Sequence, residues 1–375
     1  MDNKVIAVDQ TNSANTKKKP AVKVLDFFKD LFSFFKLKAT ERGDAEKPAD
    51  VRTWIVHGLA EFFGTILISL GLAGVSIYTA SGKPAEEYLL HPIIVGFYAG
   101  FIVVGICLFL FLRWSCDLNP SVTIYRYLNG RNNGWYASYK IFIQTLGAIA
   151  AGAIIYGLGK ASAPQGYISN APITAINAAS KSFLDYTNCS KEQVLAAGSV
   201  WIFFVELVMT AILLFPIFSP NINNKYRDLL IMFVISLSVW MGLLGGSAAI
   251  NPARGLAQQF PILLFEGHSD NFVAITGKQL ASYKNLGFDP AHIIVDGKVG
   301  LSSIQSVKDS HILWDSIVYG TIAMVLGDVL SPVFYLLVQG STQKFVNPLV
   351  AKIIGFKNYR SQMMTTPNKE LNNKK

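Results

Sequence analysis

Residues 119–128 read NPSVTIYRYL and residues 251–260 read NPARGLAQQF. Asn is a favoured helix N-cap and Pro fits the first helical position, so Asn119-Pro120-Ser121 and Asn251-Pro252-Ala253 each start a helix abruptly. Both motifs follow an apolar stretch. A helix that starts inside a hydrophobic region leaves its first N–H groups without intrahelical partners. Such backbone is tolerated at membrane depth only where protein buries it or where it lines a wet cavity. Two such starts in one chain imply two half-helices meeting around a pore, with Arg254 directly behind the second motif.

The composition agrees. The chain is 51% hydrophobic and 15% charged, with a mean hydropathy of +0.36, against about 25% charged in an average soluble domain. Its apolar residues fall in blocks long enough to cross a hydrocarbon core of ~30 Å. Six spans are predicted, at about 54–79, 92–112, 135–158, 199–219, 228–246 and 312–338. The segments at 119–128 and 251–260 are too short to cross. The order is span, span, half-helix, span, and then the same again, so the two halves are inverted. Glu61 and Thr65 in the first span match Glu206 and Thr210 in the fourth, at the same spacing. The predicted fold is an all-α membrane protein of six transmembrane helices and two half-helices, built as an inverted repeat. The net charge of +9 does not point to nucleic acid, because Lys and Arg cluster outside the apolar blocks. Cys107, Cys116 and Cys189 form neither a disulfide framework nor a metal spacing. No nucleotide motif or nucleophile–base set is visible, so neither an enzyme nor a cofactor is expected.

Residues 1–53 carry eleven Lys and Arg and residues 340–375 carry seven, which places both termini in the cytoplasm. The first 20 residues are polar and Lys-rich, unlike a signal peptide, and with the last 15 are expected to be disordered. The division that follows is an extension at 1–53, a channel domain at 54–340 and a tail at 341–375. Within the extension, 24–38 is read as an amphipathic helix that anchors at the membrane surface: Asp26, Lys29, Asp30, Ser33 and Lys36 share one face, with Phe and Leu on the other. The outer loops are 80–91, 159–198 and 261–311, the last two long and without an evident role. Asn188-Cys189-Ser190 is a glycosylation sequon in the second.

The paired Asn-Pro motifs, Arg254 and the six-span repeat resemble the aquaporin (major intrinsic protein) family, over about 54–340. In such a pore the half-helices direct their positive ends at the centre and oppose cations, while the amides of Asn119 and Asn251 offer hydrogen bonds to solutes. The resemblance implies that Arg254 is one wall of the narrowest constriction. By spacing, Ala99, Val239 and Ala248 are the others, all small and apolar, which implies a wide filter that passes water and small neutral solutes such as glycerol or urea. A one-residue slip would bring Tyr98 or Gly100 and the bulky Trp240 to the wall instead. Glu61 and Glu206 match residues that brace the half-helix loops. Gln144 and Gly147 also match, and Gly96, Gly100, Gly152, Gly242 and Gly327 are expected at close helix contacts. Ser121 replaces the usual Ala of the motif. Asp117 stands where a His is usual and is expected to pair with Arg113. Gly255 stands where glycerol facilitators carry Asp. The resemblance further implies a homotetramer in the plasma membrane, a lipid environment and passive flux. A strictly water-selective pore is the alternative within the family. A proton-coupled transporter working through Glu61 or Glu206, or an adhesive protein using its long outer loops, are the alternatives of other classes.

Overall fold

The computed structural model describes residues 20–81, 84–86, 92–163, 168–181, 191–220, 222–266, 294–295, 298–299 and 307–365. The sequon at Asn188 and the first 19 residues lie outside the described residues.

Six helices are long and apolar enough to cross a membrane. The first is α2, Val51–Leu72, which follows α1, Pro20–Leu31. Asp50 caps α2 by accepting a hydrogen bond from Thr53 N at 2.8 Å. That bond holds the Asp50 carboxyl below the usual carboxylate range. The cap moves the start of the first span from the expected 54 to 51. The second crossing, α3, runs from Pro92–Phe97 through a π-helical stretch, Tyr98–Val104, into Gly105–Phe111. The first half-helix, α4, is Pro120–Leu128, and α5 is Gly134–Ser162.

The second half repeats the order. A short helix, α6, Ala175–Lys181, precedes α7, Lys191–Phe218. The fourth crossing thus begins eight residues before the expected 199, and part of the long second outer loop is helical. Next come α8, Asn224–Leu244, and the half-helix α9, Pro252–Phe260. The last crossing, α10, is Val307–Ser341, which passes through a π-helical stretch, Thr342–Val346, into α11, Asn347–Thr365. A two-stranded antiparallel hairpin, β1 Ile294–Val295 and β2 Lys298–Val299, lies between α9 and α10, within the loop expected at 261–311.

Two expectations for the termini change. The amphipathic helix expected at 24–38 spans Pro20–Leu31, and the chain then leaves helical geometry, with Lys36 N bonded to Leu128 O at 2.9 Å. Residues 361–365 of the tail expected to be disordered continue α11.

The chain forms two compact units: Phe35–Leu336, and the two ends, Met1–Phe34 with Leu337–Lys375. In the larger unit α2 packs on α5, α7 on α8, and α3 on α8. Small residues set these distances. A Cβ on Gly96 would meet Ser236 O at 2.4 Å, and one on Gly100 would meet Met232 O at 2.1 Å, so α3 and α8 touch backbone to backbone. The half-helix α9 lies on α5 through Ala253 and Ala257 against Ala148 and Ala151. In the terminal unit, Phe27 and Phe345 lie 5.3 Å apart and Lys344 sits 3.2 Å from Asp30.

Candidate pore

The two Asn-Pro motifs meet. Asn119 Oδ1 accepts a hydrogen bond from Ser121 N at 2.9 Å, and Asn251 Oδ1 accepts from Ala253 N at 3.0 Å and Arg254 N at 3.3 Å. Each side chain caps its own helix and also reaches across to the other. Asn119 Nδ2 donates to Ile250 O at 3.0 Å, and Asn251 Nδ2 donates to Leu118 O at 2.7 Å. An amide group has two N–H donors, so one N–H of each Asn is used in this crossing and a second is left. Pro120 and Pro252 occupy the first helical positions, where no N–H is required.

The acceptors of the crossing sit in strained backbone. Leu118 has φ +49° and Ile250 has φ +56°, a left-handed conformation that is rare for these residue types and an outlier for a β-branched one. What holds them is a pair of buried carboxylates. Glu61 Oε1 accepts from Ser115 Oγ at 2.6 Å and Asp117 N at 2.9 Å, and its Oε2 accepts from Leu118 N at 2.8 Å and Gln144 Nε2 at 2.8 Å. Glu206 accepts from Ser247 Oγ, from Ala249 N at 2.8 Å and from Ile250 N at 2.7 Å. Both glutamates are fully buried. The pattern is the same in the two halves, as the inverted repeat requires.

Two cavities flank this junction. The inner one, named for the side expected to face the cytoplasm, has about 180 Å³ and is lined by Asn119, Asn251, Leu118, Ile250, Val239 and Asp117 among others. The outer one, of about 190 Å³, is lined by Arg254, Ala248, Gln258, Asn177, Glu86 and Lys181 among others. Ala249 lines the inner cavity and its neighbour Ala248 the outer one, so the neck between them lies at this level. Each space has room for several water molecules. Arg254 is buried, with Nη1 3.3 Å from Ala248 O and its Nε unpaired. Of the expected filter walls, Val239 faces the inner cavity and Ala248 and Arg254 the outer one. Ala99 is 1% exposed, packs with Val239, Leu213 and Ile250, and lines neither cavity. Trp240 is 44% exposed, and Gly100 is pressed against α8.

The departures from the family pattern find partners that spacing did not reveal. Ser121 Oγ donates to Asp328 O at 2.7 Å, so its hydroxyl ties the first half-helix to α10. Asp117 does not pair with Arg113. Its Oδ2 lies 2.9 Å from Lys140 Nζ and its Oδ1 2.9 Å from Arg126 Nε, while Arg113 lies over the Trp114 ring. The reason is position: α4 and α5 carry Arg126 and Lys140 to the buried loop, where a desolvated carboxylate requires compensating charge. Lys140 also sits 3.7 Å from Glu61. Outside, Gln259 accepts from Ile173 N at 2.8 Å and donates to Ile173 O at 2.8 Å and to Thr321 Oγ1 at 2.7 Å, and Gln258 donates to Ala171 O at 2.8 Å. These bonds bind the second outer loop to the second half-helix. The sequence signal was present in the Gln258-Gln259 pair, two adjacent long amides on a nine-residue half-helix.

A family model described as Major intrinsic protein matches residues 50–278. Aquaporin-3 of Milnesium tardigradum is 26% identical over 242 residues, covering 60% of this chain and 73% of that protein. The X-ray structure of the aquaglyceroporin from Plasmodium falciparum aligns with a TM-score of 0.45 at 18% identity, covering 80% of this chain and 99% of that one. With a family match over most of its length and two Asn-capped half-helices joined between six spans, this chain belongs to the major intrinsic protein family.

Proposed function

We propose that this chain is a passive membrane channel for water and for small neutral solutes such as glycerol. The observation that carries the reading is the Asn119–Asn251 junction. Two helix N-termini converge there, each with a partial positive charge of roughly half a unit, and each Asn retains an N–H for a passing oxygen. A hydroxyl or water accepts that bond, whereas a cation meets two positive helix ends and, farther out, Arg254. The filter expected at Ala99, Val239, Ala248 and Arg254 is kept for the three that line the cavities, Val239, Ala248 and Arg254, while Ala99 backs Val239 from the core. Small side chains at Val239 and Ala248, with Trp240 exposed, support a bore wide enough for a polyol. Similarity to a protein named Aquaporin-3 supports the water channel. The hydrogen bonds that Glu61 and Glu206 accept from the loop N–H groups support bracing rather than proton relay.

The same reading makes 54–340 the channel domain, flanked by a cytoplasmic extension at 1–53 and a cytoplasmic tail at 341–375. It places the protein in the plasma membrane as a homotetramer, and leaves the Asn188 sequon on the outer side. The Lys and Arg excess at both ends supports this orientation.

Stopped-flow light scattering on proteoliposomes tests it. Fast shrinkage in both sorbitol and glycerol, followed by rapid reswelling in glycerol alone, is the expected result. Fast shrinkage without glycerol entry would identify a strictly water-selective pore. A saturable flux driven by a pH gradient would identify a transporter.

A further inference from the structure

The first glutamate brace has one more donor than the second. Glu61 accepts from Ser115 Oγ, Asp117 N, Leu118 N and Gln144 Nε2. Among the described residues, Glu206 accepts from Ser247 Oγ, Ala249 N and Ile250 N. The fourth donor to Glu61 comes from α5, the last crossing of its half. The last crossing of the second half is α10, and it presses on α7 at Glu206. A Cβ on Gly327 would meet Phe203 O at 2.6 Å and Glu206 Cβ at 3.0 Å. The next residue, Asp328, stands where Gln144 stands in the first half, and its carboxyl is in hydrogen-bond contact with that of Glu206.

Asp328 is fully buried. Its Oδ1 accepts from Thr210 Oγ1 at 2.5 Å, and its Oδ2 meets no donor. Two ionised carboxylates have no proton to place between them and repel each other in a desolvated site. The balance of charge makes the same demand. In the first half, Glu61 and Asp117 lie with two cations, Lys140 and Arg126. In the second, the strongest charges acting on Asp328 are Glu206 on α7 and Arg254 on α9, one cation for two carboxyls. A single proton restores the balance. It belongs on Asp328, because the three N–H and O–H donors around Glu206 favour the charged form of that group.

We propose that Asp328 is the fourth donor to Glu206: it keeps a proton in the folded protein and directs it at the glutamate, as Gln144 directs an N–H at Glu61. Asp328 is thereby a positioning residue of the junction. It acts through Glu206 on Ile250, whose carbonyl holds Asn119. Its own carbonyl accepts from Ser121 Oγ at 2.7 Å, so one residue of α10 is joined both to the first half-helix and to the brace of the second. Its effect on flux rests on the channel reading, whereas its protonation rests on the geometry alone.

Infrared spectra of the full-length protein in lipid vesicles at neutral pH test this. The carbonyl stretch of a protonated carboxylic acid is distinct from that of a carboxylate, and Asp328→Asn is expected to remove one such band. Asn keeps an N–H for Glu206, so the unfolding temperature of this variant is expected to stay near that of the unaltered protein. Asp328→Val has no donor and leaves the site one hydrogen bond short. It is expected to unfold several degrees lower and to pass less water per molecule, and Asn at the same position to recover both. A protonated-acid region that Asp328→Asn leaves unchanged would overturn the proposal, because Asp328 would then be ionised. Equal stability of the Asn and Val variants would overturn it too, because the donor would then carry no weight. Loss of the band in vesicles that conduct neither water nor glycerol would uphold Asp328 as the donor and count against the channel reading instead.

Discussion

Lys140 is a buried cation placed between two carboxylates, 2.9 Å from Asp117 and 3.7 Å from Glu61. Removing one partner of such a cluster leaves charge in a desolvated site, at a typical loss of about 3–5 kcal/mol. Lys140→Met is therefore expected to lower the unfolding temperature in detergent sharply, and Lys140→Met with Asp117→Asn to recover a large part of the loss. Unequal effects of this kind, read by thermal scanning of both variants, separate an ion cluster from simple packing. Glu206 offers a second test. A left-handed residue such as Ile250 is destabilising by about 1–2 kcal/mol, and Glu206 holds it through Ala249 N and Ile250 N. Glu206→Gln turns an N–H toward those donors. It is expected to destabilise the protein by about 2 kcal/mol and to reduce water flux per molecule, because Ile250 O is the acceptor that positions Asn119. Unchanged flux would show that the junction does not depend on this brace. At Arg254, replacement by Val removes the cation from the outer cavity. Proton or cation leak, measured with a pH-sensitive dye in vesicles, is expected to rise while glycerol entry is kept or increased.

Elements are joined here by small residues and by terminal clamps. The α3–α8 contact leaves no room for a side chain at Gly100. Gly100→Ala is expected to destabilise by about 1–3 kcal/mol through overpacking, visible as a lower unfolding midpoint with the spans still inserted. At the C-terminal end of α7, Arg227 donates to the carbonyls of Pro216, Ile217, Ser219 and Ile222 at 2.7 to 3.2 Å. A helix C-terminus leaves such carbonyls unsatisfied, and one guanidinium here answers two of them, Pro216 O and Ile217 O, and two more in the loop that follows. The spans and both half-helices were legible as runs of hydropathy and as Asn-Pro starts. Their ends were less so: Asp50 extends α2 by a cap, and α7 begins at Lys191 because its first turns are too polar to register as membrane. The amphipathic pattern at 24–38 continued past the end of α1, since periodicity records which face is apolar and not where the backbone stops being helical.

At the scale of the molecule, the pore depends on an inverted repeat whose halves complete each other. Asn119 needs the carbonyl of Ile250, and Asn251 needs that of Leu118, so neither half-helix is fully capped alone. Residues 343–358 are exposed throughout, so Leu349→Ser with Ile353→Ser is expected to move the unfolding temperature of the purified protein by no more than about 2 °C, within the range of changes that touch no packed contact.

The sequence by itself determined the membrane class, the six crossings, the inverted repeat and the two half-helix starts. These follow from hydropathy, from the caps that Asn and Pro provide, and from the high cost of unsatisfied backbone in lipid, all local or periodic properties of the chain. Only the tertiary structure decided which groups answer one another across it. Lys140 and Arg126, not the nearby Arg113, neutralise Asp117, and Ser121 turns to α10. Leu118 and Ile250 adopt left-handed backbone because two buried glutamates and the opposing Asn over-determine them. Such pairings are set by which elements pack together, and a buried charge or strained residue takes its partner from there rather than from its neighbours in sequence.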